Sequence, residues 1–356
     1  MIQTFSPTIR RKEMDAVLTC MVDEKLGPGE LNAKLIQTVK EFTGCDGAVA
    51  FRSPAIAFSY VLKALNLEPG VSVMISALAP SWQYTAVKNL GYTPLVLDVN
   101  DENGLVSPDT VEEGIKNGGR LLLLHETMGI LPQIEEILSF GIPVIEDISH
   151  SFGSIYTFSA SESGENVKTE NAERKAGMMG LYSILGLEAN DTITAGGGAV
   201  LISPKRREWI VLKKYTDSAP ETDILPDMNS ALAFIQLKEF ARNEQARKAL
   251  FAIFQKSLMS GKNKTFARDA ENGSTIWSFP VVLSGSFKDV KQYASRKEIE
   301  IRPAYEKSVI ASLEEIEQAN YIHAKSLFLR TVLFPLYPRL GSESATKIAK
   351  VLGTLP

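Results

Sequence analysis

The chain carries 38 Lys plus Arg against 42 Asp plus Glu in 356 residues, a formal net charge of −4 with both signs interspersed, which argues against a nucleic-acid partner held by phosphate neutralisation. At about 150 residues per domain the length predicts a large domain and a smaller one. Cys20 and Cys45 form no C-x-x-C pair, His125, His150 and His323 are scattered singly, and no apolar run reaches a membrane span of about 18 residues, so the expectation is a cytoplasmic protein without disulfide framework, metal cluster or membrane anchor.

Leu31, Leu35, Val39 and Phe42 recur at helical spacing and Gly44 closes the run, which predicts a helix over 30–43. A second helix is expected over 55–67, ended by Glu68-Pro69-Gly70. Strands expected at 73–76, 94–98, 120–124 and 143–147 then alternate with helices at 82–89, 110–117 and 132–140. Leu121 to Leu124 is apolar on both faces, as in a sheet covered by helices on both sides. The polar insertion at 157–175 reads as a surface loop from Ser159 onward. Strands at 181–185 and 199–203 bracket Gly196-Gly197-Gly198, which lacks G-x-G-x-x-G spacing, leads into a strand and so reads as a tight turn. A long helix is expected from 230 to about 257, with β structure at 276–283. The domain change falls near 245, giving a large domain at 1–245 and a small one at 246–356, with the N-terminal segment set against the small one.

Several residues have the chemistry for a site. Asp147 ends a strand at the edge where parallel sheets bind ligands, although a helix N-cap would place an aspartate there too. His150 follows closely and titrates in the right range for a general base, while a hydrogen-bonded structural role is its plainer reading. His125-Glu126 ends a strand near the same edge and reads as a satisfied pair, with a place facing the cleft as the alternative; Lys213-Lys214 reads as a solvated helix face, with anion binding at a neighbouring site as the alternative, and Met178-Met179 as core filler.

A series of segments carries a collinear resemblance: Phe42-Thr43-Gly44 before Ala48-Val49-Ala50, Leu67-Glu68-Pro69-Gly70, Gly91 to Val99, Val144-Ile145-Glu146-Asp147 followed by Ser151-Phe152-Gly153, Gly177 to Ser183, Gly197 to Val200, Gln236-Leu237, and Pro335 to Leu340. In this order they resemble the DegT/StrS-type sugar aminotransferases, pyridoxal-phosphate (PLP) enzymes of fold type I, over nearly the whole chain. The resemblance implies a large α/β domain with a mostly parallel seven-stranded sheet, a smaller C-terminal α/β domain, a homodimer with its site at the subunit interface, and a nucleotide-sugar ligand.

Such enzymes need a lysine to hold the cofactor, a carboxylate for the pyridine nitrogen, and hydroxyl and backbone N–H groups for the phosphate. The resemblance gives the carboxylate to Asp147 and a phosphate-binding hydroxyl to Ser183. It places the lysine at Glu188 or Asn190, and no lysine occurs between Lys175 and Lys205. The phosphate cradle falls on Arg52-Ser53-Pro54, where proline removes an N–H, and the ring-stacking aromatic falls near Pro80, with Trp82 as a substitute. His150 stands where the family has glutamine, and Thr222-Asp223-Ile224 where it has the element that meets the partner subunit's phosphate. The expectation is therefore a family homologue inactive as a transaminase that keeps its cleft for a ligand or partner. The alternative is a PLP- or pyridoxamine-phosphate-dependent aminotransferase or dehydratase that uses His150 as a substitute base.

Overall fold

The computed structural model describes residues 1–158, 172–266 and 273–356. Five strands of the central sheet come early: β1 (Gly47–Phe51), β2 (Ser72–Ser76), β3 (Thr93–Leu97), β4 (Gly119–His125) and β5 (Val144–Asp147). A ribbon of β6 (Ile155–Phe158) and β7 (Ala172–Lys175) follows, then β8 (Tyr182–Gly186) and β9 (Ala199–Ser203). The sheet order is β1-β9-β8-β5-β4-β2-β3. Strands β8, β5, β4, β2 and β3 run parallel, and β9 runs antiparallel to both its neighbours, so the mostly parallel seven-stranded sheet expected from the resemblance is the observed one.

The apolar run on β4 serves two layers because successive side chains leave a strand on opposite faces. Leu122 and Leu124 join a core with Met74 and Val144, while Leu121 and Leu123 join a second with Val73, Ile75 and Ile145. Helices Pro54–Leu65 and Ser81–Asn89 cover the second face.

Two expectations need adjustment. The helix expected from 230 to about 257 is two helices, Asp227–Lys238 and Phe240–Leu258, parted at Glu239. The break lies where the buried Phe240 ring is held edge-on by Phe42 and Phe152 at 5.5 and 5.4 Å between centroids. The base of the polar insertion is the paired ribbon β6–β7, and the rest of the expected loop, 159–171, lies outside the described residues.

Beyond these helices, β10 (Phe279–Val282), β11 (Arg302–Pro303) and β12 (Thr331–Phe334) form an antiparallel sheet with β12 central. The N-terminal segment packs there: Ile2 bridges Ile299, and the Thr4 amide donates to Glu300 Oε2 at 2.8 Å. Among the described residues no helix is long and apolar enough to cross a membrane.

Helix Glu30–Thr43 begins at Gly29 without a cap from its own side chains. The buried Asp227 supplies one across the fold, Oδ1 accepting from the Gly29 and Asn32 amides at 2.9 and 2.8 Å and Oδ2 from Leu31 at 3.2 Å. Asp227→Ala strands three amides at a helix start, and the expected loss is about 2 kcal/mol in chemical denaturation.

Candidate active site

Strands β4 and β5 end side by side, with His125 opposite Asp147 in register. Fully buried Asp147 is enclosed by the chain's own donors. Its Oδ2 lies 3.0 Å from His125 Nδ1 and accepts from Gln83 Nε2 at 2.8 Å, while its Oδ1 accepts from the Ser149 amide at 3.2 Å and the Ser149 hydroxyl at 2.5 Å. Burial pushes this carboxyl up, but His125, Ser149 and His150 outweigh it and hold Asp147 below the ordinary aspartate range. Asp147 is thus an ionised carboxylate, and a hydrogen-bonded turn rather than an α-helix follows β5.

Ser149 links this carboxylate to the segment after β8. Its hydroxyl oxygen accepts from the Gly186 amide at 2.9 Å, and its carbonyl accepts from Thr192 at 3.2 Å. The turn between is closed in both directions: the Glu188 amide donates to Asp191 Oδ2 at 2.8 Å, and the Asp191 amide to the Glu188 carbonyl at 3.1 Å. Gly186 permits this approach, because a Cβ there would lie 2.5 Å from Asp191 Oδ2 and 2.6 Å from Ser149 Oγ. Burial pushes the Asp191 carboxyl up to about 8 against the pull of the Glu188 amide, with the negative charges of Asp147 and Glu188 adding to the rise.

A cleft of about 350 Å³ opens over these strand ends. Pro54, Pro80, Trp82, His125, His150, Glu188 and Asn190, seven of the residues singled out from sequence, line it together. Trp277 lines it as well, stacked on His150 at 3.7 Å between centroids and 15° between planes, with its Nε1 donating to the Asn190 carbonyl at 2.6 Å. Arg302, Glu306 and Lys307 bring charge to its lining.

Ser183 and Ser53 do not line the cleft. Ser183 is fully buried and its hydroxyl donates to the Gly177 carbonyl at 2.9 Å, the strand-hydroxyl alternative to a phosphate ligand. Ser53 caps helix Pro54–Leu65, its Oγ accepting from Ile56 at 3.2 Å, so with proline at the first helical position the turn has little left to offer an anion. His150 Nδ1 accepts from the Met128 amide at 3.2 Å, so a neutral ring carries its proton on Nε2. That geometry is the reverse of the one a base needs.

Gln83, Ser149, Asp191 and Trp277 escaped the sequence reading. Gln83 lies one residue past Trp82, the substitute aromatic, and Asp191 one residue past Asn190, one of the two candidate lysine positions. Trp277 comes from 127 residues beyond His150 and no local pattern connects them.

The sequence model of the DegT/DnrJ/EryC1/StrS aminotransferase family matches residues 7–353. Among solved structures, one named as a sugar aminotransferase of Streptococcus pneumoniae in a PLP form is similar with a TM-score of 0.84 at 16% identity, over 97% of this chain and 96% of that one. The same protein in a PMP form gives 0.82. A GDP-4-keto-6-deoxymannose-3-dehydratase mutant with bound GDP-perosamine gives 0.83 at 15% identity, over 99% and 100% of the two chains. The Helicobacter pylori aminotransferase PseC, of pseudoaminic acid biosynthesis, gives 0.81 at 17%, over 99% and 98%.

Proposed function

Since the chain belongs to the DegT/DnrJ/EryC1/StrS aminotransferase family, we propose that it is a member that does not transaminate and that uses its cleft to bind a nucleotide sugar. The observation that carries this reading is the enclosure of Asp147. A pyridinium N–H would meet an Oδ2 already shared by Gln83 and His125, and an Oδ1 held twice by Ser149. The side chains offered where the resemblance puts an imine-forming amine are Glu188 and Asn190, both exposed. Ser183 and Ser53 spend their hydroxyls inside the protein. These residues do not fit the phosphate, the ring nitrogen or the aldehyde of PLP. The cleft's aromatic faces, Trp82 and Trp277, and its cations, Arg302 and Lys307, suit a sugar nucleotide. A soluble cytoplasmic homodimer completes the proposal, in keeping with the two buried, free cysteines.

Mixing the purified protein with PLP is expected to give no imine that borohydride can fix, read as intact protein mass. A cofactor-sized mass increase overturns the reading. Glu188→Lys and Asn190→Lys variants are expected to stay negative for a site-directed imine, because the enclosure of Asp147 persists. The dehydratase alternative with His150 as base requires pyridoxamine phosphate to bind, and calorimetric titration is expected to register no heat of binding.

A further inference from the structure

We propose that the cleft carries a cofactor-independent acid–base pair, with His125 as the base and Asp191 as the acid, which enolises a ketone on the bound sugar. The proposal rests on the nucleotide-sugar reading above and adds a reaction to it.

The ionised Asp147 fixes the His125 tautomer. With Nδ1 3.0 Å from Asp147 Oδ2, the neutral ring donates there and leaves its lone pair on Nε2. Among the described residues that nitrogen has no hydrogen-bond partner, and His125 lines the cleft. Gln83 and Ser149 hold the other side of the carboxylate, so the dyad is oriented before any ligand arrives. His150, 4.8 Å away between ring centroids, has the opposite tautomer and does not compete for the role of base.

Asp191 lines the same cleft, over Gly186 and beside Ser149. Its Oδ2 is committed to the Glu188 amide, whereas Oδ1 has no hydrogen bond among the described residues. Burial beside the negative Asp147 keeps this carboxyl protonated near neutrality. Two neighbouring carboxyl groups, one charged and hydrogen-bonded and the other buried beside that charge, are thereby pushed to opposite protonation states, the arrangement that assigns one to the support of a base and the other to an acid.

The reaction needs no oxidant and no cofactor. The C–H bond beside the ketone breaks and its proton goes to His125 Nε2. The electron pair forms the C=C of the enol, and the carbonyl oxygen takes the proton of Asp191. The imidazolium is stabilised by Asp147. After exchange with solvent the imidazolium returns a proton to carbon on the same face, and the enol gives its proton back to Asp191.

The test uses GDP-4-keto-6-deoxymannose, in deuterated buffer free of pyridoxal and pyridoxamine phosphates, with binding followed by calorimetry and carbon-bound hydrogen exchange by NMR. The expected result is binding, with exchange beside the ketone at least about 100-fold above buffer. His125→Ala and Asp191→Asn are each expected to lose about 100-fold in exchange while still binding. His125 is buried and its variant could fail to fold; Asp191 is on a turn, and asparagine can still accept from Glu188. Binding without exchange, or exchange that survives Asp191→Asn, overturns the acid–base proposal and leaves the ligand reading intact. Absence of binding removes the ligand reading and this proposal with it.

Discussion

Asp147→Ala is expected to lower the unfolding free energy by about 3–5 kcal/mol, measured by urea denaturation at neutral pH. Among the described residues the carboxylate is the only acceptor for the Gln83 amide and the His125 Nδ1, and it takes both the amide and hydroxyl of Ser149. Its removal leaves several buried donors without acceptors, and buried donors cost far more than a surface bond returns. Gln83 is especially vulnerable, since its Oε1 already has no partner among the described residues. Asp147→Asn keeps the volume but replaces an acceptor by a donor facing Gln83 or Ser149, so it is expected to recover only part of the loss. A variant as stable as the parent would show that the enclosure of Asp147 does not bind the strand ends together.

Stability is expected to fall as pH rises through the neutral range, and Glu126→Gln to flatten that fall. Glu126 and Glu146 are both fully buried behind the strand ends. Glu146 is the better place for a charge, with its oxygens accepting from the amides of Gly177, Met179 and Gly180 at 2.9, 2.9 and 2.6 Å. Glu126 has the Tyr156 hydroxyl at 2.9 Å, and burial followed by the charge of Glu146 pushes its carboxyl well above the ordinary value of 4.5. Since the folded state holds this proton more tightly than the unfolded chain, the stabilisation is complete below 4.5 and is lost as pH climbs toward the folded value. The slope for one proton is about 1.4 kcal/mol per pH unit. Glutamine stands in for the protonated acid at every pH, so denaturation curves of parent and variant from about pH 5 to pH 8 are expected to diverge upward in favour of the variant. Parallel curves would place the proton elsewhere.

The site was only partly legible in the sequence because its chemistry is assembled by pairing. Asp147 was recognisable from Val-Ile-Glu-Asp at a strand end, and the loss of lysine is a fact of composition over 176–204. That Asp147 is closed off could not be read, since its closing groups come from positions 83, 125 and 149 and meet through the register of β4 with β5 and the helix Ser81–Asn89. Likewise His150 was the histidine with the right address, yet the amide of Met128 sets its tautomer, and His125 gains the base geometry because Asp147 lies opposite in register.

The sequence by itself determined the alternation of strands and helices, the two-sided apolar strands and the family, because hydrophobic period and turn residues are local properties of the chain. It determined equally that no lysine stands before the Gly-rich turn. The tertiary structure decided everything that depends on approach: the cap that Asp227 lends to a helix 198 positions away from it along the chain, the break at Glu239, the Trp277 face on His150, and the proton placement among Asp147, Asp191, Glu126 and Glu146. Hydrogen-bond direction and desolvation depend on which groups meet and how deeply they are buried, and only the folded chain fixes both.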